Sequence, residues 1–204
     1  MLLLGEDAHH LYLYKPSGLP VFPPHADPAG DCLLARLFAE RPDRGGFPEG
    51  FEGGIAHRLD NLTEGVVVAA RAPADLAPLR REFAEGRLRK RYAFHSAGER
   101  PPHLVVDAPL AHHPRRRDRM VWRGRHRGKW YPARTELWRR PEPGWWDCEI
   151  STGVTHQIRA HAASVGLALT GDPIYGGAPG TFRLVAVRVI GPGWASPAWW
   201  PGPG

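Results

Sequence analysis

The stretch Gly54-Ile55-Ala56-His57-Arg58-Leu59-Asp60-Asn61-Leu62-Thr63-Glu64-Gly65 gathers an imidazole, a guanidinium and two carboxylates in one polar turn. It stands directly before the apolar run at 66–70, and rigid elements commonly carry functional residues on such loops. A carboxylate placed there can add to an electron-poor carbon or accept a proton. By itself, however, an aspartate in a loop is more often a turn former or a cap, so Asp60 needs support from elsewhere in the chain. Glu64, four residues on, would be the second carboxylate that a water-activating hydrolase requires.

The 11 histidines raise metal binding as another chemistry. Both His9-His10 and His112-His113 are adjacent pairs, which seldom make a mononuclear site. His156 and His161 lie five apart on an expected helix and so face different ways. No metal is expected. Cys32 and Cys148 are far apart and form no CxxC pair, so neither a zinc site nor a disulfide framework is indicated, and a reducing cytoplasm fits.

Charge points to a polyanionic partner. The chain has 204 residues and a net charge of +6. Residues 115–129 concentrate Arg115, Arg116, Arg117, Arg119, Arg123, Arg125, Arg127 and Lys129 against the one acid Asp118. Such a segment is either a solvated loop or a nucleic-acid contact, and charge alone favours the second only modestly. The opening Met1-Leu2-Leu3-Leu4 meets Gly5, Glu6 and Asp7 at once, far short of a membrane span or a signal-peptide core.

Short elements must position these groups, because 24 glycines and 22 prolines punctuate the chain. A strand is predicted at 11–14, ending in the Lys15-Pro16-Ser17-Gly18 turn. Asp31 is expected to cap a helix burying Leu34, Leu37 and Phe38. Residues 41–54 read as a flexible approach. A buried strand at 66–70 precedes an amphipathic helix at 74–85, closed by Gly86. Further strands are expected at 89–97, around 146–150 and at 182–190, with a helix from Thr155, as its cap, through Val165. Strands and helices mix without βαβ alternation. The class is α+β: a mixed, largely antiparallel sheet flanked by helices, with a central active-site cleft.

The segment HRLDNLTEG resembles the HRLDxxTSG signature of the RluA-type pseudouridine synthases. In the same order, Lys15-Pro16-Ser17-Gly18 with Val21 resembles that family's KPxGxxV element, and Lys90-Arg91-Tyr92-Ala93 its KxYxA strand. Thr152-Gly153-Val154-Thr155-His156-Gln157-Ile158-Arg159-Ala160-His161 is similar to TGRTHQIRVH, and Gly171-Asp172-Pro173-Ile174-Tyr175-Gly176 matches GDxxYG. Two departures stand out: Glu64 replaces a serine and Val154 an arginine. The resemblance implies a pseudouridine synthase-like catalytic domain over 1–190, with 191–204 a Pro/Gly/Trp-rich tail. No S4-like RNA-binding domain is expected in front of it.

What the resemblance implies for the residues is specific. Asp60 would be the catalytic carboxylate for uridine isomerisation, acting as nucleophile or in removing the 2′ proton, and the sequence does not choose between these. Arg159 would pair with Asp60 and keep it ionised. Tyr92 would stack on the uracil and help remove the C5 proton. Arg58 would fill the gap left by the flipped base. His57 is expected to shape the loop. Thr63, Lys90, His156, Gln157 and Ile158 join the substrate-binding set through their motifs, and Arg115, Arg116 and Arg117 join it through their charge. The implied partner is structured RNA, ribosomal or transfer. No cofactor, membrane or obligatory protein partner is expected, and the chain is expected to be monomeric. A catalytically silent RNA-binding protein on the same fold is the competing reading.

Overall fold

A computed structural model describes residues 3–24 and 26–202. Met1 and Leu2 of the apolar opening, and Pro203 and Gly204 of the tail, lie outside the described residues. In chain order the elements begin with β1 (Leu3–Glu6), β2 (His10–Lys15), α1 (Leu33–Glu40), a 3₁₀ turn (Glu52–Gly54), β3 (Glu64–Ala70) and α2 (Pro73–Ala84). There follow β4 (Arg89–His95), β5 (His103–Asp107), β6 (Leu110–His112), β7 (Met120–Val121), β8 (Arg127–Tyr131) and β9 (Arg134–Arg139). Last come β10 (Trp145–Ile150), α3 (Gln157–Ser164), β11 (Leu184–Gly191) and β12 (Trp194–Ala195). The class is α+β and largely antiparallel, as read from the sequence. The chain forms two compact units, one running to Arg89 and regaining Ala186–Trp200, the other Lys90–Val185.

In the first unit the strands run β1-β2-β3-β11, with β12 beside β11. The valine run in β3 suits a strand covered on both faces, and Val66, Val67 and Val68 are fully buried. Tyr12 lies opposite Val68, and both pack with Val66, Leu76, Leu79, Leu88 and Val189. Leu76 and Leu79, three apart on α2, each contribute about 1.5–3 kcal/mol by burial. Gly65 permits the close approach at the head of β3: its φ is +117°, and a Cβ there would stand 2.2 Å from the Ala186 carbonyl oxygen.

Two expectations in this unit are corrected. Asp31 does not cap α1. The cap is Cys32, whose Sγ accepts from the Ala35 N–H at 3.3 Å, while Asp31 pairs with Arg36 at 2.5 Å. The first N–H groups of the helix, on Leu33 and Leu34, donate to the carbonyls of Pro20 and Val21, and this docking sets where the helix starts. Residues 41–54 are not a loose approach either. Arg44 is buried within them and donates to the carbonyls of Arg71 (2.6 Å), Gly53 and Ala70 (both 2.5 Å), so one guanidinium ties two backbone segments to its own.

The tail also takes part in this unit. Trp194 stacks on His10 with centroids 4.2 Å apart and donates its indole N–H to Glu82 at 3.0 Å. Trp199 lies against Tyr14 at 4.4 Å.

In the second unit β4-β10-β9-β5 form an antiparallel sheet, with Tyr92 opposite Cys148 and Lys90 opposite Ile150. A separate sheet, β7-β6-β8, takes up much of the basic segment, so 115–129 is partly strand. Its inner residues Leu110 and Met120 pack with Ala133, Ala160 of α3 and Tyr175. Val154, where the family has arginine, joins this apolar cluster. Thr155 does not cap α3. The N-cap is His156, at φ 54° in the left-handed region, which shifts the helix start to Gln157.

Candidate active site

In the first unit the loop bearing Asp60 is held from several directions. Its entry is pinned to β3 by an Ile55–Ala69 bridge and by His57, whose Nε2 accepts from the Val68 N–H at 2.9 Å while its ring stacks on Phe83. Asp60 opens a turn closed by the Thr63 N–H at 3.0 Å, and Thr63 is buried. The Pro16–Gly18 corner grips the same turn: Gly18 N–H donates to the Asn61 carbonyl (2.9 Å) and the Ser17 hydroxyl to that of Leu62 (2.8 Å). Arg58, by contrast, is exposed. Glu64 accepts from the Tyr14 hydroxyl at 3.2 Å. Burial, together with this carboxylate, pushes the Tyr14 pKa up to about 12.

Lys15 is the residue whose role the sequence did not disclose. It is fully buried, and its ammonium donates to the carbonyls of Leu19 (2.7 Å), Asn61 (2.9 Å) and Pro16 (3.0 Å). Three donors on a compact head match three converging acceptors, which explains why lysine ends the strand here. Burial lowers its pKa to about 8, against the opposing pull of Asp60 and Glu64. Lys15→Met should therefore leave the Leu19 carbonyl without its ammonium donor and the Asn61 carbonyl with the Gly18 N–H alone, costing roughly 1–3 kcal/mol, and loosen the Asp60 turn. The folded protein binds this proton less well than the unfolded chain does. The contribution of Lys15 to stability thus rises with pH from about 8 towards the ordinary lysine value. Chemical denaturation across that range should show the rise in wild type and its absence in Lys15→Met.

The second unit carries the other candidates. Tyr92 and Lys90 lie on β4, both buried, and burial lowers the Lys90 pKa to about 8. Gln157 is buried and directs its amide into the protein: Oε1 accepts from the Thr152 hydroxyl and the Val154 N–H, and Nε2 donates to the Arg134 carbonyl and Thr135. Ile158 is buried beside it. Arg159, one turn into α3, makes a two-point pair with Asp172, Nε to Oδ2 at 2.7 Å and Nη2 to Oδ1 at 2.8 Å. Asp172 Oδ1 also accepts from the N–H groups of Ile174 and Tyr175. Burial pushes the Asp172 carboxyl up, but the Arg159 and backbone hydrogen bonds outweigh it and hold the group below the usual range. Sequence reasoning matched the Gly171–Gly176 turn without giving Asp172 this task, because the burial of Arg159 that demands a counter-charge leaves no mark in the sequence.

Arg115, Arg116 and Arg117 are exposed on the approach to β7, and Arg123, Arg125, Arg127 and Lys129 are exposed up to and along β8. Arg116 pairs with Asp118 at 2.9 Å. Among the described residues, no group of three or more His, Cys, Asp or Glu is arranged to hold a metal ion, and no helix is long and apolar enough to cross a membrane.

A family model described as RNA pseudouridylate synthase matches residues 9–164. The chain belongs to that family. Among curated relatives, a ribosomal large subunit pseudouridine synthase D from Nitrosomonas europaea is 36% identical over 179 residues, covering 85% of this chain and 49% of the relative. The protein of that name from Xanthomonas campestris is 36% identical over 178 residues, covering 86% and 52%. The chain thus spans about half the length of the curated relatives it matches. Two human solved structures share the fold: RNA pseudouridylate synthase domain containing 1 (TM-score 0.78, 20% identity, 98% of this chain and 83% of that one) and domain containing 4 (TM-score 0.74, 23%, 98% and 88%).

Proposed function

We propose that this chain is an RNA pseudouridine synthase that acts on structured RNA in the cytoplasm, with Asp60 as its catalytic carboxylate. Two relatives named for the large ribosomal subunit make its ribosomal RNA the first substrate to try. The observation that carries the reading is the Asp60 turn, gripped by the buried Lys15 and its corner, in a chain of this family. In the reaction the bond from uracil N1 to ribose C1′ breaks, the base turns, and C1′ joins to C5, whose proton is released. Asp60 adds to the sugar or takes the 2′ proton; Tyr92 stacks on the base and assists the C5 proton. Arg58, exposed on the same loop as Asp60, fills the stack as the base flips out. Arg159 supports the carboxylate chemistry with its guanidinium. Mapping pseudouridines in total RNA from cells with and without the gene tests this. Loss of one or more sites supports it, and an unchanged map counts against it.

We also propose that the exposed arginines and Lys129 of 115–129 contact phosphates. Replacing Arg115, Arg116 and Arg117 with glutamine should weaken RNA binding without lowering the single-turnover rate at saturation. Each lost phosphate contact should reduce the salt slope by about 0.7–0.9. Filter binding over a range of salt concentrations reads this directly, and an unchanged slope makes the segment a solvated face.

A further inference from the structure

We propose that His156, locked as its Nδ1–H tautomer, and Tyr175 are positioning residues that fix the face Arg159 presents and tether it to β7. Among the described residues, His156 is the one non-glycine residue with positive φ, at 54°. For a residue that is neither Gly nor Asn this backbone costs about 1–2 kcal/mol, so something must hold it. The ring does not cap the helix that it begins. It faces two side chains instead. Its Nε2 lies 3.0 Å from Arg159 Nη1, and its Nδ1 lies 3.2 Å from the Tyr175 hydroxyl.

Donor logic then sets the tautomer. Arginine has no acceptor, so Nη1 donates and Nε2 must carry the lone pair. The ring proton therefore sits on Nδ1 and is donated to the Tyr175 oxygen. That oxygen also accepts the N–H of Met120, the first residue of β7, at 2.9 Å. Burial pushes the Tyr175 pKa up to about 12, so the group stays a phenol. Arg159 is gripped on its other edge by Asp172 through Nε and Nη2. Turning the guanidinium would break all three hydrogen bonds together. Because β7 lies within the basic segment, seating that segment and aiming Arg159 become one structural event. The consequence for catalysis rests on the function proposed above, whereas the tautomer does not.

The test has a spectroscopic and a kinetic arm. Nitrogen NMR of histidine-labelled protein at neutral pH, with the His156 signals assigned from a His156→Asn variant, should show a protonated Nδ1 and a bare Nε2. An Nε2–H ring or an imidazolium would overturn the proposal, and neither reading needs RNA or activity. In Arg159→Met the ring should leave the Nδ1–H form; an unchanged tautomer in that folded variant also overturns it. Should Arg159→Met not fold, His156→Asn serves, since asparagine tolerates the left-handed backbone but is too short to bridge both partners. It should lower kcat about 5- to 30-fold in a variant that still melts cooperatively. Wild-type kcat in His156→Asn would remove the positioning role. Inactive wild-type protein with the expected tautomer would instead count against the functional reading alone.

Discussion

Replacing Asp60 with Asn should abolish uridine isomerisation, by on the order of 10⁴-fold or more, while the variant folds and binds RNA as wild type does. The amide matches the carboxylate in shape but can neither add to C1′ nor accept a proton from the sugar. Asp60 is only half-buried, and the turn it opens is built from backbone: its own carbonyl accepts from Thr63, and Lys15, Ser17 and Gly18 hold the carbonyls of Asn61 and Leu62. None of these bonds uses the side-chain charge. The backbone bonds of the turn survive the change, so the variant should still melt cooperatively. Thermal melting and RNA filter binding, run beside the activity assay, separate the two effects. An inactive variant that also unfolds would indicate that Asp60 is structural, and near-normal turnover would remove it from the chemistry.

The largest loss of stability is expected at Asp172. Arg159 and Asp172 are both buried, and their side chains pair at two points. Asp172→Asn leaves the guanidinium buried beside a neutral amide that can satisfy only one of its two donors. Breaking a buried pair in this way costs about 3–5 kcal/mol, because desolvation of the remaining charge is no longer offset. Replacing both partners, in Asp172→Asn/Arg159→Met, should cost less than the sum of the single changes, since the two ends of the pair are then removed together.

The pH dependence follows with a definite sign. The folded-state pKa of Asp172 is held below its ordinary value. Its stabilising contribution is thus present above about pH 4 and disappears as pH falls through the depressed folded value. Urea denaturation of wild type should show that acid loss, and Asp172→Asn should show a flatter profile from a lower start. Equal stabilities at pH 7 would mean that the pair contributes nothing net.

Much of this was legible from the residues. The apolar run 66–70 announced a buried strand, and the amphipathic pattern at 74–85 announced the helix that follows it. Trp146, Cys148 and Ile150 are buried in alternation, as their pattern implied. What stayed hidden has a common physical origin: polar side chains that bind backbone leave no periodic trace. Arg44 gathers three carbonyls within a stretch whose glycines and prolines read as looseness. Lys15 does the same beneath the Asp60 turn.

Helix starts failed for a related reason. Asp31 and Thr155 are good caps by type, but docking of the first turn on Pro20 and Val21 set one start, and the left-handed His156 set the other. The Pro/Gly/Trp-rich tail gave no periodic signal, yet Trp194 and Trp199 meet His10 and Tyr14 through ring contacts that only the fold creates. The matched motifs named the candidate residues, while the pairing of Arg159 with Asp172 and His156 leaves no trace in their spacing.

The most direct measurement incubates the purified chain with a large-subunit ribosomal RNA transcript labelled with tritium at uracil C5, and follows release of tritium to water together with nucleotide-resolution mapping of pseudouridine. The account predicts release by wild type in step with pseudouridine at one or more defined uridines, and none by Asp60→Asn. Binding of the transcript without release, by folded wild-type protein that is equally inert towards transfer RNA, would contradict it and leave the chain an RNA-binding member of its family.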